Sequence, residues 1–110
     1  MQIVTTETLA GHRIETTVGL VMGIAVRSRG LGGNIMMGLA SLHAVDGDTM
    51  TEYLGLLMDG RDDAIAHMVA RATALGANAI VGVRFDATEV GHEMSEIVAY
   101  GTAVVLAPDR

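Results

Sequence analysis

The segment MSEIVAYGTAVVL, residues 94–106, alternates between two sets of side chains along its whole length. A period of two is typical of a β-strand, because successive side chains point to opposite faces of the sheet. The two sets are Ser95, Ile97, Ala99, Gly101, Ala103 and Val105 on one face, and Met94, Glu96, Val98, Tyr100, Thr102 and Val104 on the other. The first face is small enough for a helix to lie close against it. The second is larger and still mostly apolar, so it needs a second covering layer, most simply a neighbouring subunit.

The composition agrees with one small domain over residues 1–110 that completes its core by self-association. Half of the chain is apolar, yet its aromatic residues are only two Tyr and one Phe. A monomer of this size leaves much of its surface exposed, which favours cover by partner chains. A core filled by aliphatic side chains alone is the other reading of the same composition, and composition does not decide between them.

Several classes of protein are disfavoured by the sequence. Cysteine is absent, which excludes disulfides and thiolate metal sites. The net charge of −6 argues against nucleic acid as a partner. No basic segment followed by an apolar run opens the chain, and the apolar stretches are too short to span a membrane. We therefore expect a cytoplasmic protein with no membrane partner.

Three extended segments precede the predicted helix. The start of the chain predicts a short strand at Gln2–Thr5 and a second extended piece at Arg13–Thr16, and Thr17–Arg29 predicts a long strand. We expect the glycine-bearing face of this long strand to lie close to a helix or another chain. Its two faces are Leu20, Met22, Ile24 and Val26, and Gly19, Val21, Gly23 and Ala25. A Gly-rich loop at Ser28–Asn34 and a short helix at Ile35–Ala44 are predicted to follow.

A long helix is predicted from Met50 to Leu75, capped by Asp48 or Thr49 and ended by Gly76. Gly60 predicts a bend or break inside it. The apolar stripe expected to face the sheet consists of Met50, Leu54, Leu57, Ile65, Met68, Ala72 and Leu75.

A further strand is predicted at Asn78–Glu89. A hairpin at Val90–Glu93 joins it to the strand at residues 94–106. Regular alternation would place Val81, Val83, Phe85 and Ala87 on one face and Ile80, Gly82, Arg84, Asp86 and Thr88 on the other. The order strand, strand, helix, strand, strand predicts an α/β (α+β) fold. Its architecture is a two-layer sandwich with one long helix on a mainly antiparallel sheet.

Four segments together resemble the YbjQ-like family: MQIVTTETLAGHRI (1–14), VGLVMGIAV (18–26), ARATALGANAIVGVRFD (70–86) and AYGTAVVL (99–106). Tyr53 and Arg61 also fall where the long helix of that family carries a Tyr and an Arg. The resemblance implies a subunit fold similar to dodecin and a homopentameric ring. It brings a heavy-metal-binding label, although the function of the family is not established. Met36–Leu39 departs from the family pattern, which tends to place Arg and Asp there.

Metal ligands are sparse in the sequence. The histidines are far apart, and none has a helical i, i+4 partner histidine. The best local cluster is His92 and Glu93 with Glu96, at a hairpin tip whose His and Glu are more often simply solvated. A ring could also bring one histidine from each subunit together on its axis. Met36 and Met37 could supply thioethers, but such pairs more often fill cores or interfaces.

Arg61 is the strongest candidate for binding a small anion. It lies on the predicted apolar stripe, so it must extend to solvent, pair with a carboxylate or bind an anion. An interface ion pair with a carboxylate of the sheet or a neighbouring subunit is the favoured reading. Tyr53 and Arg27 complete the candidate ligand set, Arg27 because it precedes the Gly-rich loop.

No catalytic motif supports an enzyme: the loop has G-x-G without the rest of a dinucleotide fingerprint, and no nucleophile motif occurs. We expect a non-enzymatic homo-oligomer, a pentamer if the family resemblance holds, with heavy-metal binding carried only by the family label. The alternative is a ring that stores a small ligand or anion between subunits. An enzyme with an intersubunit active site ranks third. The sequence identifies no cofactor.

Overall fold

The computed structural model describes residues 1–28, 47–90 and 94–109. These residues form strands β1 (Gln2–Ile3) and β2 (His12–Ser28), helix α1 (Gly47–Ala74), and strands β3 (Ala79–Val90) and β4 (Met94–Pro108). The predicted order of elements is thereby confirmed. The predicted short helix at Ile35–Ala44, most of the Gly-rich loop and the residues of the β3–β4 hairpin lie outside the described residues.

The four strands form one mixed sheet in the order β1-β3-β4-β2. Central strand β4 is antiparallel to both neighbours, and β1 is parallel to β3. The predicted α+β class with a mainly antiparallel sheet is confirmed. The two extended pieces expected at Arg13–Thr16 and Thr17–Arg29 are one strand, in which the register against β4 shifts near Glu15 and Val18. Each shift inserts an extra residue and bends the strand without ending it.

Helix α1 lies on the sheet through small residues. Gly60, Ala64, Met68 and Ala72, spaced four apart, are buried. A Cβ on Gly23 of β2 would lie 1.9 Å from the carbonyl oxygen of Ala64, so the helix and the strand meet backbone to backbone. The expectation that the glycine-bearing face of this strand lies against a helix is therefore confirmed.

The predicted helix stripe needs correction. Met68 and Ala72 are buried as expected, and Ile65 is half-buried, but Leu54, Leu57 and Leu75 are exposed. Only the later half of the helix covers the sheet, and the sheet accepts small residues there. The helix is also unbroken at Gly60. That glycine serves close packing, because a Cβ would meet Cδ1 of Ile97 at 2.6 Å.

The end of α1 follows the prediction. Gly76 adopts a φ of +85°. Its N–H donates to the carbonyl of Thr73 at 3.0 Å, and the N–H of Ala77 donates to the carbonyl of Ala72 at 3.0 Å. This pair of bonds is the Schellman motif, which closes a helix with glycine in the left-handed conformation.

Strand β3 does not alternate regularly, contrary to the prediction. Gly82 has a φ of +63°, and the register against β4 shifts between Val81 and Arg84. Because two residues of β3 oppose one of β4 at this bulge, Ile80 and Val83 both join the core beneath the helix, while Val81 lies on the other face. Within the described residues, no helix is long and apolar enough to cross a membrane.

Candidate functional site

The face of the sheet opposite to α1 is here called the outer face. At its β1 end Val4 and Leu9 pack against Val81, Val104 and Leu106, and the rest of it has no covering layer among the described residues. The strand register sets rows of three side chains across this face, one each from β2, β4 and β3. The rows are Met22, Tyr100 and Arg84; Ile24, Val98 and Asp86; and Val26, Glu96 and Thr88. Its β2 side is therefore apolar, and its β3 side is polar and charged.

The apolar side of the outer face is open to solvent. Leu20 is 64% exposed and Ile24 47% exposed, while Val98 and Tyr100 beside them are half-buried. These exposures match the two-faced pattern read from both strands. Large aliphatic side chains in a contiguous row at the surface are typical of an interaction site.

The structure places the candidate arginines in different surroundings. Arg27 forms an ion pair with Asp63 of α1, so its guanidinium is already engaged. Arg61 is exposed and makes no hydrogen bond or ion pair with another described residue. Residues two apart on a helix point in different directions, so Arg61 does not share the Asp63 pair. Tyr53 lies within α1, but its side chain is outside the described part of the structure.

The candidate metal residues are only partly described. Glu96 is half-buried on the outer face, while His92 lies outside the described residues. No group of three or more His, Asp and Glu residues capable of holding a metal occurs within ranges 1–28, 47–90 and 94–109. A stable site needs three or four converging donors. The described part of a single chain therefore does not fit a metal centre.

Two histidines are held by backbone carbonyls. Nδ1 of His67 lies 2.8 Å from the carbonyl oxygen of Ile24, and Nδ1 of His12 lies 3.0 Å from that of Ala10. Donation to a carbonyl requires the proton on Nδ1, which leaves Nε2 as the unprotonated nitrogen of a neutral ring. Metal-bound histidines are often held in this way, but neither of these belongs to a group of three or more donors among the described residues.

A shallow cavity of about 400 Å³ lies at the β1 end of the outer face. Glu7 and Arg84 both line it without forming an ion pair with each other. Nη1 of Arg84 donates to the carbonyls of Thr5 and Val83, both at 2.8 Å, which holds the side chain in place. This cavity depends on the bulge in β3, so it could not be predicted from regular alternation. The signal in the sequence was Gly82 inside a strand. The remaining lining residues are Ile14, Thr17, Val81, Gly82, Thr102 and Val104.

Comparisons with known proteins agree along nearly the whole chain. A family model described as "Putative heavy-metal-binding" matches residues 1–107. A UPF0145 protein of Bradyrhizobium sp. (strain ORS 278) is 48% identical over 100% of this chain and 96% of its own length. A UPF0145 protein of Picrophilus torridus is 44% identical over 96% of this chain and 87% of its own.

One solved structure shares the fold. It is a protein of unknown function, of the DUF74 family, from Pediococcus pentosaceus ATCC 25745. The TM-score is 0.61, over 97% of this chain and 98% of that chain, at 17% sequence identity. This similarity supports the α+β architecture alone.

Proposed function

The chain belongs to the YbjQ-like (UPF0145) family, and from that premise we propose that it is a non-enzymatic subunit that assembles with copies of itself. The proposed assembly is a ring with dodecin-like subunits, and five is the subunit number that the family resemblance implies. Its partner is a second copy of the chain, with neither nucleic acid nor membrane involved.

The observation that supports this proposal is the outer face. Leu20, Met22, Ile24 and Val26 form an exposed aliphatic row along β2. Burying apolar surface is favourable by about 25 cal/mol per Å², and an ordinary protein interface covers about 800 Å² on each partner. Here a helix covers one face of the sheet. The exposed row on the other face contributes its burial free energy when another layer covers it.

Light scattering coupled to size-exclusion chromatography tests the assembly. We expect wild-type protein at micromolar concentration to have several times the 11.5 kDa chain mass. Ile24→Arg should lower the mass towards a monomer, because it places a charge in the exposed row. Ala70→Arg, on an exposed helix position, adds the same charge elsewhere and should keep the wild-type mass. A monomeric wild type, or an Ile24→Arg variant of unchanged mass, would contradict the proposal.

A second candidate function is storage of a small anion between subunits. The supporting observation is Arg61, an exposed guanidinium without a partner among the described residues. Native mass spectrometry should then find a co-purified anion that Arg61→Leu abolishes and Arg71→Leu, a change of the same kind in the last turn of α1, retains. Loss of assembly in Arg61→Leu, with no ligand in the wild type, would favour an interface ion pair instead.

Metal binding, as in the family description, is a third element of the proposal. Because the described residues of one chain do not fit a metal, we propose that any bound ion is shared between copies, with Glu96 of the outer face as one donor. Metal analysis of protein purified without a histidine tag tests this role. Glu96→Gln should reduce the bound metal, and equal metal in both proteins would remove Glu96 from the site.

A further inference from the structure

Helix α1 is longer than the sheet surface that it covers. It has 28 residues, about 42 Å at 1.5 Å per residue. Gly60 packs beside Arg27, and Ala64 packs over Gly23, so the helix runs antiparallel to β2. Residues 47–59, here called the overhang, therefore continue for about 20 Å past the end of β2.

The overhang carries large apolar side chains that nothing in the described structure buries. Leu54 is 53% exposed, Leu57 41% and Met58 51%. A helix end that projected freely into water would be expected to carry polar residues on all sides. Within the part of the chain that the structure describes, these side chains therefore lie beyond the apolar surface of the sheet.

The helix-facing side of β3 has apolar side chains that no described helix covers. Phe85 pairs with Ala99, and Ala99 pairs with Gly23, so the three side-chain positions form one row on the helix face. The helix packs over the Gly23 end of this row. Phe85 at the other end is 45% exposed, and Ala87, two residues further along the same face, is exposed as well.

The described geometry of one chain does not bring these two surfaces together. Helix α1 is continuous from Gly47 to Ala74, and its contact with Gly23 fixes its later half over β2. The overhang is carried past the end of β2, the outermost strand, and away from Phe85. A helix segment without a sheet and a sheet segment without a helix are complementary between copies.

Building on the proposed self-assembly, we propose that the overhang of one copy covers Phe85 and Ala87 of the next copy. The two surfaces differ, so the contact is heterologous, and each copy both donates an overhang and accepts one. A heterologous contact that closes produces a ring. This contact completes the helix layer on one side of the sheet. It is distinct from a contact through the outer face, which lies on the opposite side.

Cysteine cross-linking tests the contact cleanly, because the chain has no native cysteine. Leu57→Cys and Phe85→Cys chains are co-expressed with different tags, purified together and treated with a short bismaleimide. We expect a band at twice the 11.5 kDa chain mass that contains both tags, and neither variant alone should form it. Ala66→Cys, at an exposed position in the half of α1 that packs over β2, replaces Leu57→Cys in the control pair and should not cross-link to Phe85→Cys.

The other outcomes overturn the inference in distinguishable ways. A dimer formed by Leu57→Cys alone means that overhangs pair with each other. A cross-link within one chain of the Leu57→Cys/Phe85→Cys double variant means that the overhang covers its own sheet. No mixed cross-link in protein of oligomeric mass refutes this contact and leaves the proposed self-assembly standing, whereas a monomeric mass refutes both.

Discussion

At the residue scale, Gly23 determines how closely α1 approaches β2. A Cβ at this position would meet backbone atoms, the oxygen of Ala64 at 1.9 Å and the nitrogen of Met68 at 2.4 Å. Backbone cannot move aside as a flexible side chain can. We expect Gly23→Ala to lower the free energy of unfolding by about 3 kcal/mol or more, measured by urea denaturation at fixed protein concentration.

Gly55→Ala is the matched control for that substitution. Gly55 also lies in a described element, but it is an exposed helix residue with no atom within 4 Å of a built Cβ. Alanine there should raise the unfolding free energy by about 0.5–1 kcal/mol, because alanine favours the helix. If both substitutions change stability equally, the close approach at Gly23 is not what holds the two layers together.

Asn78 makes a second contribution at this scale. Its Oδ1 accepts the N–H of Leu106 at 2.7 Å, and its Nδ2 donates to the carbonyl of Leu106 at 3.0 Å. The side chain thus pairs with β4 as a neighbouring strand would. Asn78→Ala should cost about 1–3 kcal/mol of unfolding free energy, since it leaves both partly buried groups without their partner.

The comparison variant Asn78→Asp keeps the acceptor at this position and loses the donor. Its unfolding midpoint in urea should therefore fall between those of wild type and Asn78→Ala. An aspartate variant as unstable as the alanine variant would show that the Oδ1 bond contributes little.

At the scale of elements, β4 and the part of β2 after Val18 could be predicted from sequence because their apolar and small residues alternate regularly. In β3 the same reasoning failed beyond Val81, since one extra residue at Gly82 exchanges the faces of everything that follows. Both faces of β3 are apolar near this point, so periodicity alone gave no warning. The interior glycine was the remaining signal.

The helix shows a different limit of sequence reasoning. Large apolar residues indicated a stripe through Leu54 and Leu57, whereas the buried contact uses Gly60 and Ala64. Which residues fit depends on the facing strand, where Gly23 permits backbone contact. The Arg27–Asp63 ion pair could likewise not be predicted from the sequence, because its partners lie 36 positions apart.

The β3 bulge predicts how Gly82 responds to substitution. A Cβ here would meet nothing within 4 Å, so only the φ of +63° opposes a side chain. Gly82→Ala should cost about 1–2 kcal/mol of unfolding free energy. Gly82→Asn should cost less despite its larger side chain, because asparagine tolerates this conformation better. If asparagine destabilises more than alanine, the neighbouring cavity rather than the backbone sets the cost.

At the scale of the whole molecule, the described residues leave apolar surface uncovered in three places. The main core lies between the later half of α1 and the sheet, and a smaller one lies on the outer face beneath Val4 and Leu9. The rest of the outer face, the overhang and the end of β3 all expose apolar side chains. These surfaces lie on different sides of the subunit. Two distinct contacts for each copy are the least number that would cover them, and this agrees better with a ring than with a simple two-fold dimer.

The same arrangement predicts how much metal the protein can hold. Since the described residues of one chain offer no group of three donors, and the proposed ring would share donors among copies, bound metal should stay below one ion per chain. The absence of cysteine favours ions that accept nitrogen and oxygen ligands, such as Zn²⁺. Untagged protein equilibrated with Zn²⁺ and desalted would be measured by plasma mass spectrometry.

Comparison of the oligomer with the dissociated chain separates a shared site from a local one. We expect the oligomer to retain substoichiometric Zn²⁺ and the Ile24→Arg variant to retain none, because dissociation separates the donors while adding no metal ligand. Ala70→Arg should bind as much as wild type, since its charge lies away from the outer face. One Zn²⁺ per chain in monomeric Ile24→Arg would place a complete site within a single chain and contradict metal sharing. Equal, negligible binding in all three proteins would count against any zinc role for the assembly.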